Sequence, residues 1–102
     1  MNNCIFCKIL NKEIPSNFVY EDDFCFAIND INPKAKKHIL VIPKNHVESL
    51  NEVQDCELMK HLFVAIKNIN KQENIDHFKT LINTGKNAGQ EVMHLHIHIL
   101  AD

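Results

Sequence analysis

The most regular pattern of hydrophobic and polar positions lies near the end of the chain, in His94-Leu95-His96-Ile97-His98-Ile99-Leu100. Histidines alternate there with branched aliphatic residues, which is typical of a β-strand. Because alternate side chains of a strand share a face, we expect the aliphatic residues to face the core and the histidines to line the opposite face. Histidine can act as base, acid, nucleophile or metal ligand near neutral pH, so this face indicates a functional site.

A second pattern, with helical spacing, predicts one long amphipathic helix in the middle of the chain. The segment Ser49-Leu50-Asn51-Glu52 matches a capping box, so we expect the helix to begin there. Its buried stripe is expected to comprise Leu58, Met59, Leu62, Phe63, Ile66 and Ile69.

Shorter apolar runs predict the remaining elements. A short helix is expected over Cys4–Leu10, and five strands over Phe18–Tyr20, Phe24–Ile28, His38–Ile42, Phe78–Asn83 and Val92–Leu100. Few of these strands alternate with helices, which indicates an α+β fold with a mostly antiparallel five-stranded sheet. A length of 102 residues fits one domain, residues 1–102.

The composition argues against several classes of function. A net charge of −2 gives no reason to expect binding to nucleic acid or to a membrane surface. No apolar stretch reaches the length of a membrane span, and the first residues lack the pattern of a secretory signal. We therefore expect a cytoplasmic protein whose 4 cysteines are free thiols or metal ligands rather than disulfides.

Cys4 and Cys7 have the C-x-x-C spacing of zinc ligands. A structural tetrahedral site would need two further ligands, for which histidines are the candidates. Alternatively, zinc could bind the histidines of the last strand as a hydrolytic centre. Three same-face residues of one straight strand lie too far apart for a single tetrahedral ion, but two of them with a ligand from elsewhere would fit. Both metal hypotheses stay open on these residues alone.

Both glycines of the chain, Gly85 and Gly89, lie in the polar loop Thr84–Gln90 that leads to the histidine strand. Glycine permits positive φ and a close approach of backbone to ligand, and the N–H groups of such a turn can bind an anion. The position of this loop next to the histidines favours an oxyanion site over a plain turn.

Several segments follow one another in an order that matches a known family. They are Cys4–Ile9 with Glu13–Pro15, Ala27–Pro33, His38–His46, Asn83 with Gly89-Gln90, and the signature His94–Leu100. In these segments, which cover nearly the whole chain, the sequence resembles the histidine triad superfamily of nucleotide hydrolases and transferases, and especially its purine-nucleoside phosphoramidase (Hint) branch. The resemblance implies a purine nucleotide substrate and a homodimer that joins two five-stranded sheets into one of ten strands.

The resemblance also implies a chemistry for the three histidines. His96 would attack the α-phosphorus of a nucleoside phosphoramidate or related ester, and water would then release the nucleoside monophosphate from the nucleotidyl-histidine. The backbone carbonyl of His94 would accept a hydrogen bond from one His96 nitrogen and so aim the other at phosphorus, while His98 would hold a phosphate oxygen. This mechanism requires that His96 be neither buried nor bound to a cation.

Further site residues follow from the same resemblance. Asp30 would bind the ribose hydroxyls, and Asn83 with the loop residues Gly89, Gln90 and Glu91 would surround the phosphate and the leaving group. Apolar side chains would enclose the base, namely Ile5, Phe6, Ile9, Ile14, Ile28 and Ile31. A structural zinc would be bound by Cys4, Cys7, His46 and His94, as in the zinc-bearing members.

One position departs from the phosphoramidase pattern, because Glu91 stands where a serine near the leaving group is usual. A carboxylate beside a phosphate repels it, so the leaving-group preference does not carry over. Two other functions also remain open: a regulatory module that binds nucleotide without turnover, and a zinc-dependent hydrolase.

Overall fold

The computed structural model describes residues 3–102 and has the α+β architecture that the sequence predicts. Its strands are β1 (Phe18–Glu21), β2 (Cys25–Asn29), β3 (Lys37–Pro43), β4 (Lys79–Leu81) and β5 (Ile97–Ala101), and its helices are α1 (Ile5–Leu10) and α2 (Cys56–Gln72). The strands form a single five-stranded sheet in the order β1-β2-β3-β5-β4, with antiparallel neighbours throughout.

The long helix α2 covers one face of the sheet with the predicted apolar stripe. Its residues Leu58, Leu62, Ile66 and Ile69 are buried in one core with Leu95 and with the sheet residues Cys25, Ala27, Ile39, Val41, Ile97 and Ile99. Phe63 does not belong to the stripe, because its side chain is 53% exposed. The alternation in the histidine segment therefore has the predicted direction, with its aliphatic residues in the core.

The start of α2 was predicted wrongly. The helix begins at Cys56, where the carboxylate of Asp55 accepts a hydrogen bond from a backbone N–H of the first turn. Ser49 instead precedes a single 3-10 turn, Leu50–Glu52, and its side chain makes no capping hydrogen bond. Val53 has extended backbone angles, so that turn does not continue into the helix.

The short helix α1 packs on the other face of the sheet. Its side chains Phe6 and Ile9 are buried with residues of β2 and β3, namely Phe26, Ile28, Leu40 and Ile42. A helix of 6 residues is not stable alone, so this packing holds it in place. Leu40 is paired with His98 across β3 and β5, which places the histidine face on the side of the sheet that α1 covers.

The last strand is shorter than predicted, because β5 begins at Ile97 and leaves His94 and His96 in an extended approach to it. Pro43, at the end of the neighbouring strand β3, has no N–H to offer to the ladder. The carbonyl oxygen of His94 bonds the ring of His96 instead of a neighbouring strand. Side-chain chemistry thus replaces β-pairing at the point where two of the histidines lie.

Strand β4 forms one edge of the sheet, and its residues are all exposed. Large apolar side chains are also exposed on this strand, just before it and on α2, namely Leu81, Phe78, Phe63 and Val64. Within residues 3–102, none of the helices is both long and apolar enough to cross a membrane.

Candidate functional site

Four residues with sulfur and nitrogen ligand atoms converge at the start of α1. We call Cys4, Cys7, His46 and His94 the cysteine–histidine cluster; their ligand atoms all lie within 4.8 Å of one another. Nδ1 of His94 is 3.2 Å from Sγ of Cys4 and 3.7 Å from Sγ of Cys7, and Nδ1 of His46 is 3.4 Å from Sγ of Cys7. Zinc bonds of about 2.0–2.3 Å put tetrahedral ligands roughly 3.5 Å apart, so these residues fit a zinc ion.

The protonation of His94 also suits a metal ligand. Its Nε2 is 2.8 Å from the carbonyl oxygen of Pro43, which can only accept a hydrogen bond, so Nε2 carries the proton and Nδ1 presents a lone pair to the thiols. Burial lowers the pKa of His94 to about 4, which keeps the ring neutral at pH 7. The Cys4 side chain also accepts a hydrogen bond from the N–H of Cys7 and thereby caps α1.

His96 is held by its own backbone neighbour. Nδ1 of His96 lies 2.8 Å from the carbonyl oxygen of His94, so Nδ1 carries the proton and Nε2 has the free lone pair. Phe6 contacts the ring edge-on, with 5.1 Å between the ring centroids.

His96 is more buried than the sequence-based mechanism requires, with 8% of the residue exposed. The requirement that His96 not be buried is therefore not met. Among the described residues its Nε2 has no hydrogen-bond partner, so the lone pair of this atom is unoccupied there.

A second group of three side chains lies beside His96, and we call Asp30, His38 and His98 the aspartate–histidine cluster. Nε2 of His38 is 2.8 Å from Nδ1 of His98 and 3.4 Å from Oδ2 of Asp30. The rings of His96 and His98 are 5.0 Å apart between centroids. Burial, followed by the nearby His96 and His38, lowers the pKa of His98 to about 4. Its Nε2 is buried and has no partner among the described residues.

His38 is the residue of this site that the sequence analysis missed. It was assigned only as the first residue of a strand, since a single histidine there resembles an ordinary polar residue. Strand register is the signal that would have identified it. Leu40 is paired with His98, and His38 lies two residues before Leu40 on the same face, diagonally opposite His98.

The loop between β4 and the histidine segment has the backbone that its glycines predict. Gly85 has φ +91° and Gly89 has φ +94°, which are strained values for any residue with a Cβ. The Asn83 side chain lies next to Gly89, about 3.8–4.0 Å from where a Cβ would be. The structure thus brings together two of the residues that were predicted to surround a phosphate.

Gln90 occupies a different place from the one its predicted role suggests. Its side chain is buried and bonds only to backbone among the described residues: Oε1 accepts from the N–H of Gly85, and Nε2 donates to the carbonyls of Glu48 and Val92. Gln90 therefore holds the loop in shape. Glu91, the next residue, is exposed.

The apolar residues that were predicted to enclose a base are distributed unevenly. Phe6, Ile9 and Ile28 are buried members of the α1 core, with Ile14 packed against them. Ile5 is 43% exposed and Ile31 is 90% exposed, in the turn that follows Asp30. The two exposed side chains are thus available to a ligand, whereas the buried ones shape the face beneath it.

A protein-family model described as "HIT domain" matches residues 11–102. The chain belongs to the HIT family. Among curated HIT relatives it is 50% identical to Protein HitA of Neisseria gonorrhoeae over 103 residues, which cover 98% of this chain and 96% of that protein. Among solved HIT structures, a histidine triad protein from Clostridium difficile superposes with a TM-score of 0.94 at 49% identity, over 100% of this chain and 92% of that one.

The HIT fold of this chain is also that of a HIT family hydrolase from Legionella pneumophila Philadelphia 1. The TM-score is 0.91 at 38% identity, with 97% of this chain and 92% of that chain covered. The α+β fold predicted from the strand and helix patterns and the family expected from the resemblance are thus confirmed at the level of the HIT family.

Proposed function

We propose that this HIT protein is a nucleotide hydrolase or transferase in which Nε2 of His96 attacks the α-phosphorus of a purine nucleoside phosphoramidate or related ester. The observation that supports this most directly is the 2.8 Å bond between Nδ1 of His96 and the carbonyl oxygen of His94. It fixes the ring and leaves the lone pair on Nε2, as nucleophilic catalysis by histidine requires. The hydrolase named among its structural neighbours supports the reaction class.

The reaction has two steps in this proposal. A bond forms between Nε2 of His96 and phosphorus, the bond from phosphorus to the leaving nitrogen or oxygen breaks, and the leaving group takes up a proton from solvent. The ring becomes cationic, and its Nδ1–H still donates to the His94 carbonyl, which stabilises the charge. Water then attacks phosphorus and releases a proton to solvent, the nitrogen–phosphorus bond breaks to restore the lone pair on Nε2, and nucleoside monophosphate leaves.

The surroundings of His96 suit a nucleotide. The buried Nε2 of His98 has no partner within residues 3–102, and the amide of Asn83 lies beside the Gly89 turn, so both are available to phosphate oxygens. Asp30 accepts the N–H of Asn32 through Oδ1 and keeps part of its carboxylate exposed, as ribose hydroxyls would need. The exposed Ile5 and Ile31 offer apolar contact to a base.

A structural zinc ion in the cysteine–histidine cluster belongs to the same proposal. Bound to four protein ligands, it would supply cross-linking rather than an open catalytic position. It would connect the start of α1 to the segment after β3 and to His94, whose carbonyl orients His96. The free thiols of Cys4 and Cys7 also fit a reducing, cytoplasmic location.

We also propose a homodimer that forms through β4. This strand is an exposed sheet edge, which a second copy can extend by β-pairing. Phe63, Phe78 and Leu81 add exposed apolar surface on α2 and around β4. The molar mass in solution tests this state.

The function is tested by mass spectrometry of the protein mixed with an adenosine phosphoramidate. We expect a mass increase of one adenylyl group on His96, in largest yield when His98 is changed and hydrolysis is slowed. His96→Ala should bind AMP but lose turnover by at least about 10⁴-fold, as expected when a covalent nucleophile is removed. His77→Ala, which changes an exposed histidine, is the matched control. AMP binding without any turnover by the unmodified protein would instead indicate a regulatory module.

A further inference from the structure

We propose that the backbone amide of Lys34 and the ring of His38 hold His98 in a single tautomer, with its proton on Nε2, and that they do not shuttle protons. The assignment of the tautomer rests on geometry alone. Its catalytic meaning rests on the proposed function, in which His98 holds a phosphate oxygen.

The chain of hydrogen bonds that reaches His98 starts at Lys34. Its backbone N–H donates to Nδ1 of His38 over 3.1 Å. A backbone N–H can only donate, so Nδ1 of His38 carries no proton, and the neutral ring must carry its proton on Nε2. The alternative, with neither nitrogen of His38 protonated, is an imidazolate anion, for which the cluster offers no cation.

The protonation state of His38 determines that of His98. The protonated Nε2 of His38 is 2.8 Å from Nδ1 of His98, so this Nδ1 accepts and the proton of the neutral His98 ring lies on Nε2. Oδ2 of Asp30, at 3.4 Å from the same Nε2, is the more distant acceptor. The depressed pKa of His98 agrees with a neutral ring.

Nε2 of His98 is consequently a donor that is buried and lacks an acceptor among the described residues. A buried donor without a partner is costly, commonly by about 1–3 kcal/mol, and it gains a partner when an acceptor is bound. A phosphate oxygen is such an acceptor. The site is thus arranged before binding to donate one hydrogen bond from His98.

Each hydrogen bond of this chain is donated in the same direction, from Lys34 to His38 and from His38 to His98, and the first donor is a backbone amide. An amide N–H does not release its proton at neutral pH, so Lys34 cannot resupply His38. Transfer of the His38 proton to His98 would leave His38 as an imidazolate. Lys34, His38 and His98 therefore fix a tautomer, and the proton that the leaving group needs comes from elsewhere. In this account His38 is a positioning residue.

Two substitutions of His38 separate a tautomer lock from a proton relay. His38→Gln places an amide N–H near the position of Nε2, which can donate to His98 but cannot carry a proton onward. His38→Phe keeps a flat ring and removes the donor. A lock predicts that the Gln variant retains kcat within about tenfold and that the Phe variant loses at least about 100-fold, since loss of tautomer control is severe in histidine catalysis. A relay predicts that both variants lose kcat equally.

The tautomer itself is read from two-bond ¹⁵N–¹H correlations of the histidine rings in the free protein. We expect the Nε2–H pattern for His98 in the unmodified protein and in His38→Gln, and a mixture of tautomers in His38→Phe. Lys34→Ala keeps the amide and should keep the tautomer, and His77→Ala controls for loss of an exposed histidine.

Two results would overturn the proposal: an Nδ1–H pattern for His98 in the unmodified protein, or a Gln variant that keeps the tautomer and is as slow as the Phe variant. If His38→Phe does not fold, the His98 tautomer in the unmodified protein and the kcat of His38→Gln still distinguish a tautomer lock from a proton relay. Failure of adenylylation at His96 would refute the proposed function without changing the NMR result, so the two proposals fail separately.

Discussion

The two clusters beside His96 look alike as sets of atoms and differ in how their protons are arranged. The cysteine–histidine cluster and the aspartate–histidine cluster each bring their ligand atoms within 4.8 Å of one another. In the first, Nε2 of His94 donates to the Pro43 carbonyl, which leaves a lone pair directed at the thiols. In the second, Nδ1 of His38 accepts from the Lys34 amide, which leaves a proton directed at Asp30 and His98.

The difference shows that proximity of ligand atoms does not define a metal site. The partner on the far nitrogen of each ring decides whether the near nitrogen offers a lone pair or a proton. The Pro43 carbonyl bonded to His94 makes Nδ1 of that ring a metal ligand, and the Lys34 amide bonded to His38 makes Nε2 of that ring a hydrogen-bond donor. A zinc ion in the aspartate–histidine cluster would meet the proton that His38 presents, so we propose zinc in the cysteine–histidine cluster alone.

Metal content gives the largest expected effect. We expect one equivalent of zinc per chain in the unmodified protein and none in Cys4→Ala/Cys7→Ala, measured by elemental analysis. Loss of the ion should lower the free energy of unfolding by about 4 kcal/mol when free zinc exceeds its Kd a thousandfold.

Two further variants make the zinc measurement decisive. Asp30→Asn should keep the full equivalent, because the aspartate–histidine cluster binds no metal in this interpretation. Cys56→Ala is the matched control, since Cys56 is a free and exposed thiol. A second equivalent in the unmodified protein that Asp30→Asn removes would show that the two clusters are alike.

A smaller effect is expected from the loop Thr84–Gln90, which the Gln90 side chain connects to backbone groups by three hydrogen bonds. Gln90→Met should lower the free energy of unfolding by about 2–3 kcal/mol, because it leaves the Gly85 N–H and the Glu48 and Val92 carbonyls without their partner. Chemical denaturation measures the loss. KM should rise as well if the loop binds phosphate.

The matched control for the loop is Gln54→Met, which changes an exposed glutamine and should have little effect on stability. Zinc removal should leave the KM effect of Gln90→Met in place, because the loop depends on no metal ligand. Equal free energies of unfolding for Gln90→Met and the control variant would contradict the proposal that the Gln90 hydrogen bonds stabilise the loop.

Much of the fold was predictable because its patterns are local. The alternation around Ile97 and the stripe through Leu62 report burial directly, and both faces were predicted correctly except at Phe63, which is exposed. The start of α2 was not, because Ser49 and Asp55 both look like caps and the extended Val53 between them is not evident from sequence. Likewise, the late start of β5 at Ile97 follows from the side chain of His96, which bonds a backbone carbonyl that would otherwise be free for strand pairing.

The site was predictable where residues lie close in sequence or match a family motif, as for Cys4 and Cys7. His38 was missed because its role depends on strand register and on a contact with His98, 60 residues away. Gln90 was placed near the phosphate, but its backbone bonds reach Glu48, 42 residues away. Sequence patterns identify which residues carry chemistry, whereas register and hydrogen-bond partners determine which atoms do so.

The smallest effect is the pH dependence that His98 contributes to stability. Its folded pKa of about 4 lies below the ordinary value of 6.5, so the unfolded chain binds a proton as the pH falls below 6.5 and the folded protein does not until about 4. Stability from this group is complete above pH 6.5 and is lost as the pH falls to 4. Allowing for partial solvent screening, the free-energy difference between the unmodified protein and His98→Gln should fall by about 1–2 kcal/mol from pH 7 to pH 4. Denaturation at both pH values measures it, and since both proteins keep the zinc ligands, acid release of zinc affects them alike. A difference that stays constant over this range would mean that His98 is solvated and free to protonate, and the contrast between the two clusters would lose its electrostatic basis.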